Sequence, residues 1–435
     1  MAEILPIRPW RYNQDLANTI DELTSPLFDV VSEKQRANLY RNIHNSIHLS
    51  VPQQPGAAIR AGLLLEEWKQ KGILIQDRLP GIYVYYQYFK LAGSAREYCR
   101  KGFICHIRAY HWEENVILRH ENTIPKAVND RIELLENTEL HVSPTHGLYT
   151  DSSFELERYM DEAIQSPLYE VEDYQGVRDV LAVIHDVPVI EKFLKRLKSQ
   201  TVILADGHHR YESSLAYKEK CKRANPHHTG NEGYNFHLMY LTNTEADDLR
   251  ILPTHRLISK LPEFREEKIL ETLSKYFTIK PVEDADTLNE IIAGKRWAFG
   301  LIFRENAYKI VLKPEAIDKM KWPFPDVIKR LDLTVMHYFI IEKALGISGK
   351  DQRQSETISF DRSFSDCLKK VIQNEAQLAI ITNEVSIEDV KTVCYSGYTM
   401  PQKSTYFYPK VICGFLFSTI KQKEFTDPIF SPFAS

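Results

Sequence analysis

Hydrophobic and polar positions change their spacing along the chain, and these changes predict where strands and helices lie. Runs rich in aromatic and β-branched residues predict strands at 82–89 and 103–110. An apolar set bounded by a glycine predicts a helix over 58–71, and shorter helical patterns follow at 130–136 and 154–164.

The middle of the chain has the most regular pattern. It predicts a helix, a strand, a helix and a strand in that order, at 187–197, 201–205, 211–222 and 236–242. Because strands and helices alternate here, the pattern indicates an α/β layer arrangement.

A new pattern begins near residue 262 and places a domain boundary there. The elements predicted beyond it are a hairpin of 297–303 with 307–313, a strand at 377–382, and helices at 333–345, at 364–374 and from 386 onward. We therefore expect an α/β or α+β protein with a larger N-terminal unit, 1–262, and a smaller C-terminal α/β unit, 263–435.

Length and charge narrow the class of protein. A chain of 435 residues is long enough for two or three domains at about 150 residues each. It has 55 Lys and Arg against 59 Asp and Glu, a formal charge of -4, which disfavours a body built to bind nucleic acid or an anionic membrane. The sequence has no run of about 18 apolar residues and no signal-like start, so we expect a cytoplasmic protein without a membrane span. Its six cysteines form no CxxC pair, which predicts reduced thiols, and the oligomeric state is left open.

One short segment carries the strongest chemical signal. The strand at 201–205 runs into Asp206-Gly207-His208-His209-Arg210 and then directly into a helix. A helix N-terminus favours anions, and a glycine there allows close approach of the backbone. Arginine offers a planar fork for phosphate oxygens, and histidines can act as acids or bases near neutral pH.

Two other interpretations of this segment stay open. Asp206 can be a helix cap with surface histidines beside it, or it can orient a histidine or hold Mg²⁺. His208 and His209 together with His185 and Asp186 could bind a transition metal, although their spacing fits no zinc template. The classical dinucleotide and P-loop motifs, GxGxxG and GxxxxGK[ST], do not occur in the sequence.

At these residues the sequence resembles the DUF1015 family. The segments that carry the resemblance are Asp206–Glu212, Ser25–Val30, Arg119–Thr123, Leu252–Arg256 and Met400–Lys410. Ser25 and Phe28 depart from the more usual proline and tyrosine of that family's N-terminal element. The resemblance covers nearly the whole chain.

The central motif is also similar to the phosphate-binding box of the ParB, sulfiredoxin and free-serine-kinase group. That similarity implies a ParB/sulfiredoxin-like core in the N-terminal unit and phosphate binding by Gly207 and Arg210. His208 stands where the sulfinic acid reductases of the group have their catalytic cysteine, which argues against sulfinic acid reduction here.

The other family segments add groups suited to a phosphate site. His120 and Glu121 could form an acid/base pair, although an exposed strand end is the plain alternative. His255 and Arg256 add a second cation, with a polar turn as the alternative. The loop with Lys403 and Ser404 could clamp a triphosphate by charge, or it could simply be solvated.

These residues, together with the resemblance to the ParB, sulfiredoxin and free-serine-kinase group, predict a nucleotide-dependent phosphotransferase that acts on a small polar metabolite, and the resemblance implies a free amino acid such as serine. Its cofactor would be a nucleoside triphosphate or diphosphate with Mg²⁺ bridging to Asp206, its phosphate ligands would include His209 and Arg210, and its base would be Glu121 or His208. The alternatives are a nucleotide-gated regulatory protein of ParB type and a metal-dependent phosphoesterase. We further expect 120–121, 206–210 and 254–256 to line one pocket.

Overall fold

The computed structural model describes residues 1–28, 30–91, 93–353, 355–401 and 403–425. The chain forms two compact units. Within the described residues, the first unit comprises Met1–Arg119, Thr123–Leu249 and 409–425, and the second comprises His120–Asn122 and Arg250–Tyr408. Instead of a single boundary near residue 262, the chain enters the second unit at Arg250 and returns to the first unit after Tyr408.

The first unit is built around a large mixed sheet. The strands of this unit before Arg250 are β1 (Ile4–Leu5), β2 (Trp10–Tyr12), β3 (Leu74–Gln76), β4 (Ile82–Lys90), β5 (Glu97–Arg108), β6 (Ile117–Arg119), β7 (Leu140–His141), β8 (Thr145–Tyr149), β9 (Tyr169–Glu172), β10 (Arg178–Ile184), β11 (Val202–Asp206) and β12 (Phe236–Asn243). Strands β2 and β3 pair with each other outside the large sheet. The order in the sheet is β6-β11-β8-β12-β5-β4-β10-β9, with β1 also paired to β5. The pairs β6–β11 and β8–β12 are parallel, and the other pairs of this sheet are antiparallel.

Helices cover this sheet on both faces. They are α1 (Ile20–Leu23), α2 (Glu33–Leu39), α3 (Ile47–Ser50), α4 (Ala57–Gln70), α5 (Pro125–Thr138), α6 (Glu157–Ala163), α7 (Val187–Lys198) and α8 (His208–Ala224), with 3-10 turns at Gln14–Thr19, Trp112–Glu114 and Gly233–Asn235. Side chains of a strand alternate between its two faces, so β4 sends Val84 and Tyr86 into one core and Tyr83 and Tyr85 into the other. This double burial explains why β4 reads as an almost continuous apolar run.

The second unit has its own antiparallel sheet. Its strands are β13 (Arg250–Ile251), β14 (His255–Ile258), β15 (Phe277–Val282), β16 (Ala298–Ile302), β17 (Ala307–Leu312), β18 (Ile358–Asp361), β19 (Leu378–Ile381) and β20 (Phe407–Tyr408). The sheet order is β15-β17-β16-β19-β14-β18, and β13 pairs separately with β20.

The helices of the second unit are short. They are α9 (Glu266–Ser274), α10 (Leu288–Ile292), α11 (Asp326–Lys329), α12 (Asp332–Val335), α13 (Phe364–Ile372) and α14 (Ile387–Ser396), with 3-10 turns at Ala285–Thr287, Pro314–Lys319 and Asp351–Arg353. The helix predicted over 333–345 is divided, because α12 continues as a π-helix over Met336–Ala344.

The chain then returns to complete the first unit. Strand β21 (Ser418–Thr419) pairs with β7, and α15 (Gln422–Phe425) follows. This return segment, 409–425, contributes Val411, Phe415 and Phe417 to the same core as Tyr83 and Tyr85. The core of the first unit is therefore built from chain segments that precede and follow Arg250–Tyr408 in the sequence.

The mixed α/β class is confirmed. Most predicted elements are present, including the helix over Ala57–Gln70 and the hairpin of β16 with β17. Among the described residues, no helix has the length and apolar character needed to cross a membrane. Asp29 and Gln402, which belong to two of the resemblance segments, lie outside the described residues.

Candidate functional site

A left-handed glycine joins β11 to α8. Gly207 has φ +90° and ψ 28°, and a Cβ atom built on it would lie 2.6 Å from Cγ2 of Thr145. Both the backbone conformation and the close neighbour therefore require glycine here. The turn starts the 17-residue helix α8 directly after Asp206, and the N–H groups of the first turn of a helix have no partner within the helix.

Two cations of the first unit converge on Asp206. Arg210 Nη2 lies 3.1 Å from Oδ2 of Asp206, and Lys410 Nζ pairs with Oδ1. The three side chains are 9–15% exposed. Burial opposes ionisation of Asp206, but the charges of Lys410 and Arg210 outweigh it and hold the pKa of this carboxyl well below its ordinary range.

The guanidinium of Arg210 is fixed from a second side. Its Nη1 donates to Ser143 Oγ at 2.9 Å and to the Pro144 carbonyl at 2.7 Å. Because these bonds and the ion pair to Asp206 hold the planar group at several points, Arg210 is positioned before any ligand arrives.

The expected role of Asp206 as a Mg²⁺ ligand does not fit this arrangement. Each of its carboxylate oxygens already faces a cation, one from Arg210 and one from Lys410. Among the described residues, no group of three or more His, Cys, Asp or Glu side chains could hold a metal ion. His185 instead bonds to the Pro80 carbonyl at 2.9 Å, and Asp186 accepts from the Val189 amide as the cap of α7. Asp206 thus orients two cations rather than a metal.

The two histidines of the turn differ in their surroundings. His208, the first residue of α8, is buried at 6% exposure. His209 is half-buried, and its Nε2 accepts a hydrogen bond from the Ile124 amide at 3.0 Å. That nitrogen is engaged by the chain before α5, so a contact of His209 with phosphate would come from its backbone amide or its other ring nitrogen.

Buried histidines lie behind the turn, and sequence reasoning gave them no role. His237 is 3.0 Å from Thr145 Oγ1 through Nε2 and 2.7 Å from Ser214 Oγ through Nδ1. His146 Nε2 lies 2.7 Å from Thr242 Oγ1. Burial lowers the pKa of both imidazoles well below the ordinary value, so they stay neutral and support Thr145 and the sheet. The polar residues Ser143, Thr145 and His146, which lie close together between apolar elements, are a signal that could have indicated this layer.

In the second unit, the three residues 120–122 are held by the loop before β20. His120 Nε2 lies 2.8 Å from Thr405 Oγ1, and the Ser404 amide donates to Glu121 Oε1 at 3.2 Å. The Met400 amide donates to the His120 carbonyl at 2.7 Å. This unit therefore joins the predicted acid/base pair to the predicted C-terminal loop.

Ser404 and Lys403 differ from the predicted triphosphate clamp. Ser404 is 1% exposed, and its hydroxyl donates to the Pro401 carbonyl while its amide bonds Glu121. Lys403 is exposed and has a positive φ of 54°. The two ends of the motif belong to different units, since Lys403 and Ser404 lie in the second and Lys410 in the first.

His255 and Arg256 are buried parts of β14. His255 Nδ1 accepts from the Thr382 amide at 3.2 Å, and burial together with Arg256 lowers the pKa of His255 to about 4. Arg256 is 0% exposed and donates to the Thr254 carbonyl. Burial lowers the pKa of Arg256 to about 9, against the opposing charge of Glu121. His255 and Arg256 therefore stabilise the interior around β14, and the charge of Arg256 acts on Glu121.

The candidate residues thus fall into two groups. Asp206, Gly207, Arg210 and Lys410 lie together in the first unit. His120, Glu121, Ser404 and Arg256 lie together in the second. The expectation that all of them line one pocket stays a prediction.

None of the six cysteines is expected to take part in the chemistry. All six are free thiols. Burial raises the pKa of Cys99 to about 11 and that of Cys367 and Cys394 to about 12, so at neutral pH these are protonated and weak nucleophiles. A cysteine-free variant should keep its turnover, measured well below its melting temperature. A variant that folds normally but loses activity would show that a thiol takes part.

The fold and these clusters define an α/β protein with a charged strand-turn-helix site. The chain belongs to the DUF1015 family: the family model described as "Protein of unknown function (DUF1015)" matches residues 4–334.

No curated protein matches the chain. Among solved structures, a free serine kinase in complex with AMP is 13% identical, with a TM-score of 0.37, over 74% of this chain and 93% of that one. A conserved hypothetical protein from Pyrococcus furiosus is 12% identical, with a TM-score of 0.35, over 74% of this chain and 97% of that one. SbnI with a C-terminal truncation, from Staphylococcus aureus, is 12% identical, with a TM-score of 0.35, over 73% of this chain and 93% of that one.

Proposed function

We propose that this protein is a nucleotide-dependent phosphotransferase that acts on a small polar metabolite, such as free serine. The phosphates of the nucleotide would bind at the turn around Gly207, and a hydroxyl group of the metabolite would receive the transferred phosphoryl group.

The observation that carries this proposal is the convergence of Arg210 and Lys410 on Asp206 at the N-terminal end of α8. Arg210 lies in the first turn of α8, and two cations face one carboxylate, so the cluster keeps a net positive charge to which the N-terminal end of the helix adds. Gly207 leaves that point without a side chain, which lets a phosphate approach the backbone.

Phosphoryl transfer requires mainly positioning and charge. In the proposed reaction the hydroxyl oxygen of the metabolite forms a bond to the terminal phosphorus of the nucleotide, and the bond from that phosphorus to the bridging oxygen breaks. The hydroxyl proton passes to a carboxylate oxygen of Glu121, with His208 as the alternative base. Arg210, Lys410 and the first amides of α8, including that of His209, would hold the phosphate oxygens.

Arg210→Lys should lower nucleotide affinity by about tenfold or more, because one charge-assisted hydrogen bond is worth about 1.5–3 kcal/mol. Lysine keeps the positive charge beside Asp206 but lacks the planar fork. The measurement is a thermal-shift panel of nucleoside mono-, di- and triphosphates with and without Mg²⁺, in which a nucleotide at 100 times its Kd adds about 2.7 kcal/mol of stability.

Arg196→Lys is the matched control, because Arg196 also pairs with a carboxylate of the first unit, that of Asp151 in the loop after β8. If neither the wild type nor the control is stabilised by any nucleotide, the proposal fails. If nucleotides bind and are slowly hydrolysed to inorganic phosphate, but no phosphorylated metabolite forms, the protein is a nucleotide-gated regulator rather than a phosphotransferase.

A further inference from the structure

The second unit contains a cavity of about 410 Å³. Its wall is formed by the segment before β16, by the start of α12, by the loop from β19 to α14 and by Met400 and Pro401. The volume is within the range of about 300–1,000 Å³ that small-molecule sites occupy.

Opposite charges face this cavity without pairing. The cations Lys295, Arg296 and Arg330 line it together with the carboxylates of Asp332, Glu384 and Asp389. Among the described residues, no ion pair within 4.0 Å joins any of these six side chains to an opposite charge. The cavity thus holds three cations and three carboxylates that do not neutralise one another directly.

The carboxylates of Asp332 and Asp389 are each fixed by the main chain. The Trp297 amide donates to Asp332 Oδ1 at 3.1 Å, and the Ser386 amide donates to Asp389 Oδ2 at 3.3 Å. Each therefore keeps one oxygen that accepts no hydrogen bond from a described residue.

The surroundings of Asp332 favour a cation. Burial raises the pKa of this carboxyl to about 6, and Asp389 adds to the rise, while the Trp297 amide and Arg296 oppose it. An ammonium group placed between the two carboxylates would relieve both the burial of charge and the mutual repulsion.

We propose that this cavity binds a small zwitterion, a free α-amino acid, with its ammonium between Asp332 and Asp389 and its carboxylate on Arg296 and Arg330. A simple anion would leave the two aspartates unmatched, and a simple cation would leave the two arginines unmatched. The role of the bound amino acid as phosphoryl acceptor rests on the proposed function, whereas its binding rests on this cavity alone.

The first test is calorimetric titration of the full chain, without nucleotide, with the twenty common L-amino acids. The tightest ligand is then compared with its α-hydroxy acid and with its amino alcohol, which have nearly the same size but lack the ammonium or the carboxylate. Each analogue should bind about tenfold more weakly or worse. The inference is overturned if no amino acid binds, or if either analogue binds as well as the amino acid.

Substitutions of lining residues test whether the amino acid binds in this cavity. Arg330→Gln and Asp332→Asn should each weaken binding of that amino acid by about tenfold or more. Asparagine can still accept from the Trp297 amide, and Arg330 is exposed, so the melting temperature should change little. The controls are Arg304→Gln and Asp286→Asn, exposed residues of the same unit that do not line the cavity. Equal affinity in Arg330→Gln and Arg304→Gln would contradict the assignment.

Amino-acid binding and nucleotide binding can be measured separately, so each proposal can fail while the other holds. Arg210→Lys should leave amino-acid binding unchanged in nucleotide-free protein, because Arg210 belongs to the other unit. Amino-acid binding without any nucleotide binding would overturn the phosphotransferase and retain the cavity assignment. Nucleotide binding without amino-acid binding would do the reverse.

Discussion

Glu121→Gln should lower kcat by about 10²–10⁴ while the affinity for nucleotide stays within experimental error. Glutamine keeps the side-chain oxygen that accepts from the Ser404 amide at 3.2 Å, so the local geometry is retained. What it loses is the capacity to take a proton at neutral pH. The measurement is kcat under saturating nucleotide and metabolite, together with the Kd of the nucleotide from titration.

Glu342→Gln is the matched control. Glu342 lies in the same unit and also accepts a backbone hydrogen bond, from Gly349 at 3.0 Å, but it has no place in the candidate site. Since Arg256 is buried near Glu121, the melting temperature of each variant shows whether a loss of rate comes from unfolding. A Glu121→Gln variant with wild-type kcat would exclude Glu121 as the base.

Lowering the pH from 7 to 5 should destabilise both units strongly. Burial lowers the pKa of His106 and His337 to about 3 and that of His141 and His255 to about 4. Below the ordinary histidine value, near 6.5, the unfolded chain binds protons that the folded chain does not, so stability falls as the pH falls. Each histidine should cost about 2 kcal/mol by pH 5, and a whole protein has about 5–15 kcal/mol to lose.

Buried carboxyl groups with a raised pKa have the opposite effect on the pH dependence of stability, because they stabilise the folded protein as the pH falls. Burial raises the pKa of Asp179 to about 7, so its contribution to stability is greatest at low pH and is lost as the pH rises through that value. Asp332, whose pKa burial raises to about 6, acts in the same way, and these two groups reduce the acid sensitivity without reversing the effect of four histidines.

Urea unfolding at pH 7.5, 6 and 5 measures this dependence. His106→Gln should make the fall between pH 7.5 and 5 smaller by about 2 kcal/mol, whatever it costs at neutral pH. The exposed His227→Gln is the control variant. A wild-type protein as stable at pH 5 as at pH 7.5 would contradict the neutral state of these buried imidazoles.

Local chemistry could be predicted from the sequence, whereas distant partners could not. The strand-turn-helix around Gly207 follows from an apolar run, a glycine and a helical pattern that are adjacent in the chain. Lys410 is 204 positions from Asp206, and nothing in the local pattern indicates that these two form an ion pair. The same limit explains why the sequence predicts Arg256 as a phosphate ligand. A cation in a polar segment is expected to be exposed, and only the packing of β14 shows that Arg256 is buried.

The boundary between the units shows another limit of local patterns. A change of pattern near residue 262 is real, since α9 begins at Glu266, but it marks a new helix rather than a new unit. The strand β14 before it already belongs to the second sheet through its pairing with β18 and β19. Pairing across about 100 residues decides the division, and periodicity does not encode it.

The return of residues 409–425 to the first unit has a consequence for synthesis on the ribosome. Translation proceeds at about 5–20 residues per second, and domains usually fold in the order in which they emerge. Here the first unit cannot finish folding before the second unit has been synthesised. Phe415 and Phe417 of its core, and Lys410, which pairs with Asp206, are made after all of Arg250–Tyr408. We therefore expect the nascent chain to expose an incomplete apolar surface of the first unit during the interval in which the second unit is already complete.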